Sequence, residues 1–176
     1  MINLGTKIVI VMPYHIKESG GGAEVQANYL AIELAKKGFE VCYICETLNS
    51  KKINSIEEYY GYKIYWLKNH NTFPWLFQKR YFTLFKTINP RLIIQRMSSS
   101  LSYTINKFCK YFDSKYIWIC TDDTLSLKYA FIKKYKRKYK ISDIGLIKYI
   151  FFYTNNLISD IYRNKAMNGV DLAFTQ

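Results

Sequence analysis

Short unbroken apolar runs alternate along the 176-residue chain with longer stretches whose apolar residues recur every three or four positions. The runs Lys7 to Met12, Val41 to Cys45, Tyr62 to Leu67, Arg91 to Gln95, Lys115 to Cys120 and Val170 to Thr175 predict six strands. The periodic stretches predict helices between them. The best defined covers Ala23 to Lys37, where Ala23, Ala27, Leu30, Ala31 and Leu34 share one side and Gly38 occupies the favoured stop position. Trp75 to Ile88, ended by Asn89-Pro90, is a second predicted helix, followed by Leu101 to Phe112, Thr124 to Lys138 and Ile144 to Ala166. Strand and helix in alternation predict an α/β fold with a mostly parallel sheet flanked by helices. No repeat or Pro/Ser-rich linker interrupts the pattern, which predicts one domain over residues 1–176.

Three consecutive glycines, Gly20, Gly21 and Gly22, stand between the first strand and the first helix. Without β-carbons they let a ligand approach the backbone, and they permit the left-handed φ of a tight loop. The helix start behind them offers unpaired N–H groups and a partial positive charge to an anion. A plain surface loop would carry the same residues. In an open α/β sheet, ligands bind beyond the carboxyl ends of the strands. The predicted order puts four segments on that edge: Pro13 to Gly22, Glu46 to Asn49, Arg96 to Ser100 and Thr121 to Thr124.

Composition adds a second theme. The net charge is +13, and Lys133, Lys134, Lys136, Arg137, Lys138 and Lys140 fall within eight residues. Such a patch suits anionic lipid, nucleic acid or a phosphorylated metabolite, or it is only a solvated helix face. Tyr135 and Tyr139, four apart, would share the side that anchors this helix. No apolar stretch approaches the roughly 20 residues needed to span a bilayer, and no signal segment precedes the first strand. The expectation is a cytoplasmic protein, soluble or peripheral to the inner face of the membrane. Cys42 and Cys45 have a C-x-x-C spacing but lie on a strand, where residues three apart face opposite ways, so neither metal binding nor a redox pair is expected.

The stretch from Lys7 to Cys45, KIVIVMPYHIKESGGGAEVQANYLAIELAKKGFEVCYIC, resembles the amino-terminal half of a family 4, GT-B-fold glycosyltransferase: apolar strand, Gly-Gly loop, helix with an early Glu and a final Gly, second strand. Asn89 to Arg96 resembles the family's Pro-Asp-hydrophobic fourth strand, with Arg91 in place of the usual Asp. Tyr116 to Asp123 resembles the strand and acidic loop that follow, and Asn168 to Gln176 the last strand of that half. The resemblance implies a Rossmann-like acceptor-side domain of a retaining enzyme that moves a sugar from a nucleotide-sugar to a glycan or lipid-linked acceptor. The nucleotide-sugar would be a co-substrate, with no tightly bound cofactor and no metal. Family members hold their donor mainly on a second domain bearing a Glu-x7-Glu pair. No two of Glu18, Glu24, Glu33, Glu40, Glu46, Glu57 and Glu58 are eight apart. The donor domain is therefore expected to lie outside this chain, on a separate chain or a lost segment, and the chain alone is not expected to be active.

Carried onto this sequence, the resemblance implies that the amides of Gly20, Gly21 and Gly22 lie near the donor diphosphate or the acceptor. Glu24, in the helix's first turn, either contacts ligand or balances the helix dipole. His15 is a candidate to hydrogen-bond a sugar hydroxyl, and His70, in the loop Asn69 to Pro74, a weaker one. Asp122 and Asp123, directly after a strand, could draw off a proton or cap the next helix. Arg96 suits an anionic group on the acceptor. Three alternatives stand beside this reading: an inactive remnant, a basic nucleic-acid-binding module, and a dinucleotide-dependent oxidoreductase with Glu46 as its ribose acid. The last conflicts with the seven residues between strand and glycines, since a dinucleotide loop places G-x-G-x-x-G at once after the strand.

Overall fold

The computed structural model describes residues 5–69, 76, 78–97, 99–120 and 129–175. Seven strands, β1 (Lys7–Val11), β2 (Glu40–Thr47), β3 (Ile56–Tyr59), β4 (Tyr62–Lys68), β5 (Leu92–Arg96), β6 (Lys115–Cys120) and β7 (Leu172–Thr175), form one sheet in the order β3-β4-β2-β1-β5-β6-β7. Every neighbouring pair is parallel except β3 and β4. Among the described residues the helices are α1 (Gly22–Lys36), α2 (Gln78–Ile88), α3 (Leu101–Phe112), α4 (Ala130–Lys138), α5 (Ile141–Ile144) and α6 (Leu146–Met167). This is the expected α/β architecture, a mostly parallel Rossmann-like sheet with helices on its faces.

The strands read as continuous apolar runs because both faces are covered. Alternate side chains serve two cores. Ile8, Ile10, Val41, Tyr43, Cys45, Ile64 and Trp66 pack beneath α1, whose Ala27 and Ala31 allow close approach. Val9, Val11, Cys42, Ile44 and Leu67 join Tyr81 and Phe85 of α2 and Ile105 and Phe108 of α3. Cys42 and Cys45 thus lie in opposite cores, as the period-two argument requires, and all four cysteines are buried, with no disulfide among the described residues.

Local rules end the helices. Gly38 takes φ +83 after α1 and donates to Ala35 O at 2.9 Å, while Asn89 takes φ +53 between α2 and Pro90. The hairpin β3–β4 was not expected from the sequence. Its turn, Tyr60-Gly61, has φ +44 and +86, the two positive values of the tight turn whose twist matches paired strands. β3 reads Ile-Glu-Glu-Tyr, too short and too acidic to register as an apolar run. Of the predicted fourth helix, Thr124 to Lys138, the described part is Ala130–Lys138, residues 121–128 lying outside the described residues, and α5 is a separate turn before α6.

The far end of the domain is held by a buried ion pair. Asp160 and Arg163 of α6 are both buried, with Nη2 to Oδ1 at 3.3 Å. The same carboxylate accepts from the first amides of α4, Phe131 N at 3.2 Å and Ile132 N at 2.9 Å. α4 has no capping side chain of its own, so α6 supplies the cap.

Candidate functional site

β1 stands where the strand order turns, with β2, β4 and β3 on one side and β5, β6 and β7 on the other. The residues beyond its carboxyl end border the crevice that this topology opens. The loop 13–21 rises there and is tied to the sheet by Glu46 N donating to Pro13 O at 2.9 Å and by Thr47 Oγ1 donating to Glu18 Oε1 at 2.6 Å. Lys17 pairs with Glu57, which also accepts from Trp66 Nε1 at 3.1 Å.

His15 does not stand exposed in this loop. It is wholly buried, with ring centroids of Tyr43, Tyr59, Tyr62 and Trp66 at 4.8, 5.3, 6.0 and 5.6 Å. The hydrogen bonds fix its tautomer. Tyr62 Oη donates to Asn28 Oδ1 at 2.7 Å, so it accepts from His15 Nε2 at 2.6 Å, and His15 Nδ1 accepts from Lys17 N at 3.2 Å. Burial, reinforced by the Lys17 charge, holds the imidazole pKa down to about 4. The ring is neutral and fully engaged, which corrects the expectation of an imidazole open to a sugar hydroxyl: it pins the loop to β2, β4 and α1.

The glycines differ from one another. None of Gly20, Gly21 and Gly22 has a positive φ, and Gly21 sits at φ −68, ψ 155, so left-handed backbone is not the reason for them. A β-carbon on Gly21 would run into Glu24 Oε2. Glu24, third residue of α1 after its cap, folds its buried carboxylate back over the helix start, the reach of a capping-box acid. β-Carbons on Gly20 and Gly22 would meet nothing within 4 Å. Nothing among the described residues uses the space over those two glycines.

Arg96 leaves β5 toward the same edge but is also buried. Its Nη2 donates to Gln26 Oε1 at 2.5 Å, clamping β5 to α1, and burial draws its pKa below the ordinary value against the pull of Tyr43 and Glu24. The guanidinium stays charged. It was expected to reach outward for an anion, and it instead lies under the mouth, anchored. Gln26, exposed one turn into α1, is a residue that sequence reasoning passed over, and its spacing from Glu24 gave no signal, since residues two apart on a helix do not share a face. Glu46 does not end its strand, which runs on to Thr47, and it accepts from Tyr81 Oη at 2.7 Å. Asp122, Asp123 and His70 lie outside the described residues. Among the described residues no group of three or more His, Cys, Asp or Glu side chains is arranged to hold a metal ion.

The mouth therefore presents glycine backbone at Gly20 and Gly22, a carboxylate at Glu24, the exposed amide of Gln26 and a buried cation beneath them. With Glu24 already over the helix start, a phosphate placed directly there would face a carboxylate. Hydroxyl groups, which donate to a carboxylate and accept from amides, fit better.

No family model and no curated protein matches the chain. Solved structures do. The chain is similar over 96% of its length to 41% of sucrose-phosphate synthase from Thermosynechococcus elongatus, at 11% identity and TM-score 0.59. A Listeria monocytogenes protein assigned as a UDP-N-acetylglucosamine 2-epimerase is 11% identical, with 97% of this chain matching 39% of it at TM-score 0.52. LpCGTa, solved in complex with UDP, is 12% identical, with 97% matching 45% at TM-score 0.50. The chain thus spans about two-fifths of the length of the structures it resembles. At such identities the likeness establishes the fold, and a transferase and an epimerase share it.

Proposed function

We propose that this chain is the acceptor-side half of a glycosyltransferase, holding a glycan or lipid-linked acceptor at the glycine mouth while a second domain presents a nucleotide-sugar. The observation that carries this reading is the unused space over Gly20 and Gly22, bordered by the Glu24 carboxylate at the switch point of the sheet. In the reaction the acceptor hydroxyl oxygen attacks the anomeric carbon, the bond from that carbon to the diphosphate breaks, and the nucleoside diphosphate leaves with the electron pair. The hydroxyl proton passes to a base. Glu24 accepts a hydrogen bond from an acceptor hydroxyl and the backbone of Gly20 and Gly22 allows the sugar within contact distance. Arg96 holds the Glu24 end of α1 in place through Gln26 and offsets its charge. Asp122 and Asp123, two and three residues after Cys120 in sequence, are the proposed groups to receive the proton. Retention of configuration is what the family resemblance implies for this reading.

Backbone amide spectra of the labelled chain test this, titrated with UDP-glucose, a panel of short oligosaccharides and a short-chain polyprenyl phosphate sugar. Shifts concentrated at Gly20, Gly22 and Gln26 with a sugar-bearing probe are expected. Silence there with every probe, or a salt-sensitive response to duplex DNA alone, overturns the proposal in favour of a nucleic-acid module.

A further inference from the structure

α6 begins with a solvent-exposed apolar surface. Leu146, Ile147, Ile150 and Phe151 are 57, 87, 53 and 44% exposed. Ile147, Ile150 and Phe151 follow three-four spacing and form one stripe over the first two turns. Leu146, Ile147 and Phe151 also line a single shallow depression together with Ile144. The other side of these turns is occupied: Tyr149 and Phe152 set their rings 5.4 and 6.3 Å from Tyr135 of α4.

α4 consequently lies beside the stripe, and it exposes Lys133, Lys134, Lys136, Arg137 and Lys138. Lys136 Nζ sits 5.5 Å from the ring centre of Tyr153 on α6, which brings the cationic helix alongside the apolar one. With Lys140 and Lys148, residues 129–159 hold seven cationic side chains and one carboxylate, Asp143. That carboxylate is turned to its own turn, accepting from Lys140 N and Ser142 Oγ.

Charge decides among occupants. A second copy seated on this stripe would bring the two sets of cations together. Nucleic acid would meet the charge but not the stripe, and the two tyrosines interleaved with the cations are turned inward, Tyr135 buried and Tyr139 against it with centroids 5.3 Å apart. An anionic bilayer presents phosphates directly above an apolar layer. A helix about 10 Å across, lying in the interface with its apolar face about 5–10 Å deep, meets both. Among the described residues no helix is long and apolar enough to cross a membrane, so this contact would be peripheral.

We propose that the α4–α6 end of the protein docks on an anionic lipid bilayer, with Leu146, Ile147, Ile150 and Phe151 inserted at the boundary between head groups and acyl chains and the cations of α4 and Lys148 facing the phosphates. The sequence pointed only to the charge; the structure adds the inserting stripe. The inference stands apart from the transferase reading, since it concerns a surface and not the crevice.

Flotation of the 176-residue chain with phosphatidylcholine vesicles, with and without phosphatidylglycerol, tests it in the absence of any sugar. Binding to the anionic vesicles should exceed binding to neutral ones by at least roughly tenfold, since each cation near the surface contributes about fivefold. The double variant Ile147→Ser/Phe151→Ser should bind at least roughly tenfold more weakly with an unchanged circular dichroism spectrum, because both side chains are exposed. The triple variant Lys133→Gln/Lys134→Gln/Lys136→Gln should lose roughly a hundredfold and show a shallower salt dependence. Equal flotation with neutral and anionic vesicles overturns the proposal. So does undiminished binding of the serine variant, and so does a wild-type chain that ignores vesicles but forms dimers that Ile147→Ser abolishes.

Discussion

Acidifying the protein should unlock the loop that carries the glycines, and His15 is the reason. Its pKa is 6.5 in an unfolded chain and about 4 in the folded one. Between those values the folded state binds fewer protons than the unfolded state, so stability rises with pH across the window and is lost as pH falls from 6.5 toward 4. Each unit of separation is worth 1.36 kcal/mol, so moving from pH 7 to pH 4.5 removes about 2 kcal/mol through this one residue. Glu57, whose pKa the Lys17 hydrogen bond lowers, adds a loss of the same sign, because a carboxylate held down in the fold gives up its contribution as pH falls through its folded value. The variant His15→Gln separates the two. Gln can still donate to Tyr62, and it has no proton to gain; at pH 7 it costs about 1–3 kcal/mol for the lost ring packing and the strained hydrogen bonds. Urea unfolding followed by the fluorescence of buried Trp66 and Trp118 gives stability at each pH. The wild type should lose about 2 kcal/mol more than the variant between pH 7 and 4.5. Equal losses would refute the reasoning, as would a histidine NMR titration placing the His15 midpoint near its ordinary value.

Asp160→Ala should be the most damaging single change, by about 3–5 kcal/mol in urea unfolding, because it takes the buried partner from Arg163 and the cap from α4 together; a loss under about 1 kcal/mol would contradict the assignment. Gly169→Ala should lower stability by about 1–3 kcal/mol, since the new methyl group lands on Asn106 Oδ1, and Asn106→Ala in the same chain should recover part of it in a thermal melt. Gly22→Ala should act in opposite directions on stability and binding: it adds a better helix former in open space, raising stability by about 0.5–1 kcal/mol, yet it should weaken sugar-induced shifts at Gly20 and Gln26.

The strands and most helices were legible because burial on both faces leaves a plain mark: unbroken apolar runs at Lys7 to Met12 and Val41 to Cys45 need no tertiary information to be seen. The site was less so. His15 reads in sequence as a polar residue in a loop, and its burial depends on Tyr59 and Tyr62, which flank a hairpin turn some 45 residues away. That hairpin was itself hidden, because Ile56 to Tyr59 is an edge strand with acidic residues at its centre, where period-two alternation is weakest. One missed strand therefore carried a second error with it.

The glycine run shows the same dependence in reverse. In sequence its three members are equivalent, and the simplest account assigns them one conformational role. In space Gly21 is explained from within, by the carboxylate of Glu24 folded where its β-carbon would be, while nothing among the described residues would meet a β-carbon on Gly20 or Gly22. A glycine that no described neighbour requires, at the switch point of an open sheet, directs attention to what comes from outside. Glu24 then constrains what that is. Its negative charge lies where a helix start would otherwise receive an anion, which turns the mouth from a phosphate cradle toward a surface for neutral, hydroxyl-bearing groups. On the proposed reading a donor's charged diphosphate is met from elsewhere, and the chain spans only about two-fifths of the structures it resembles.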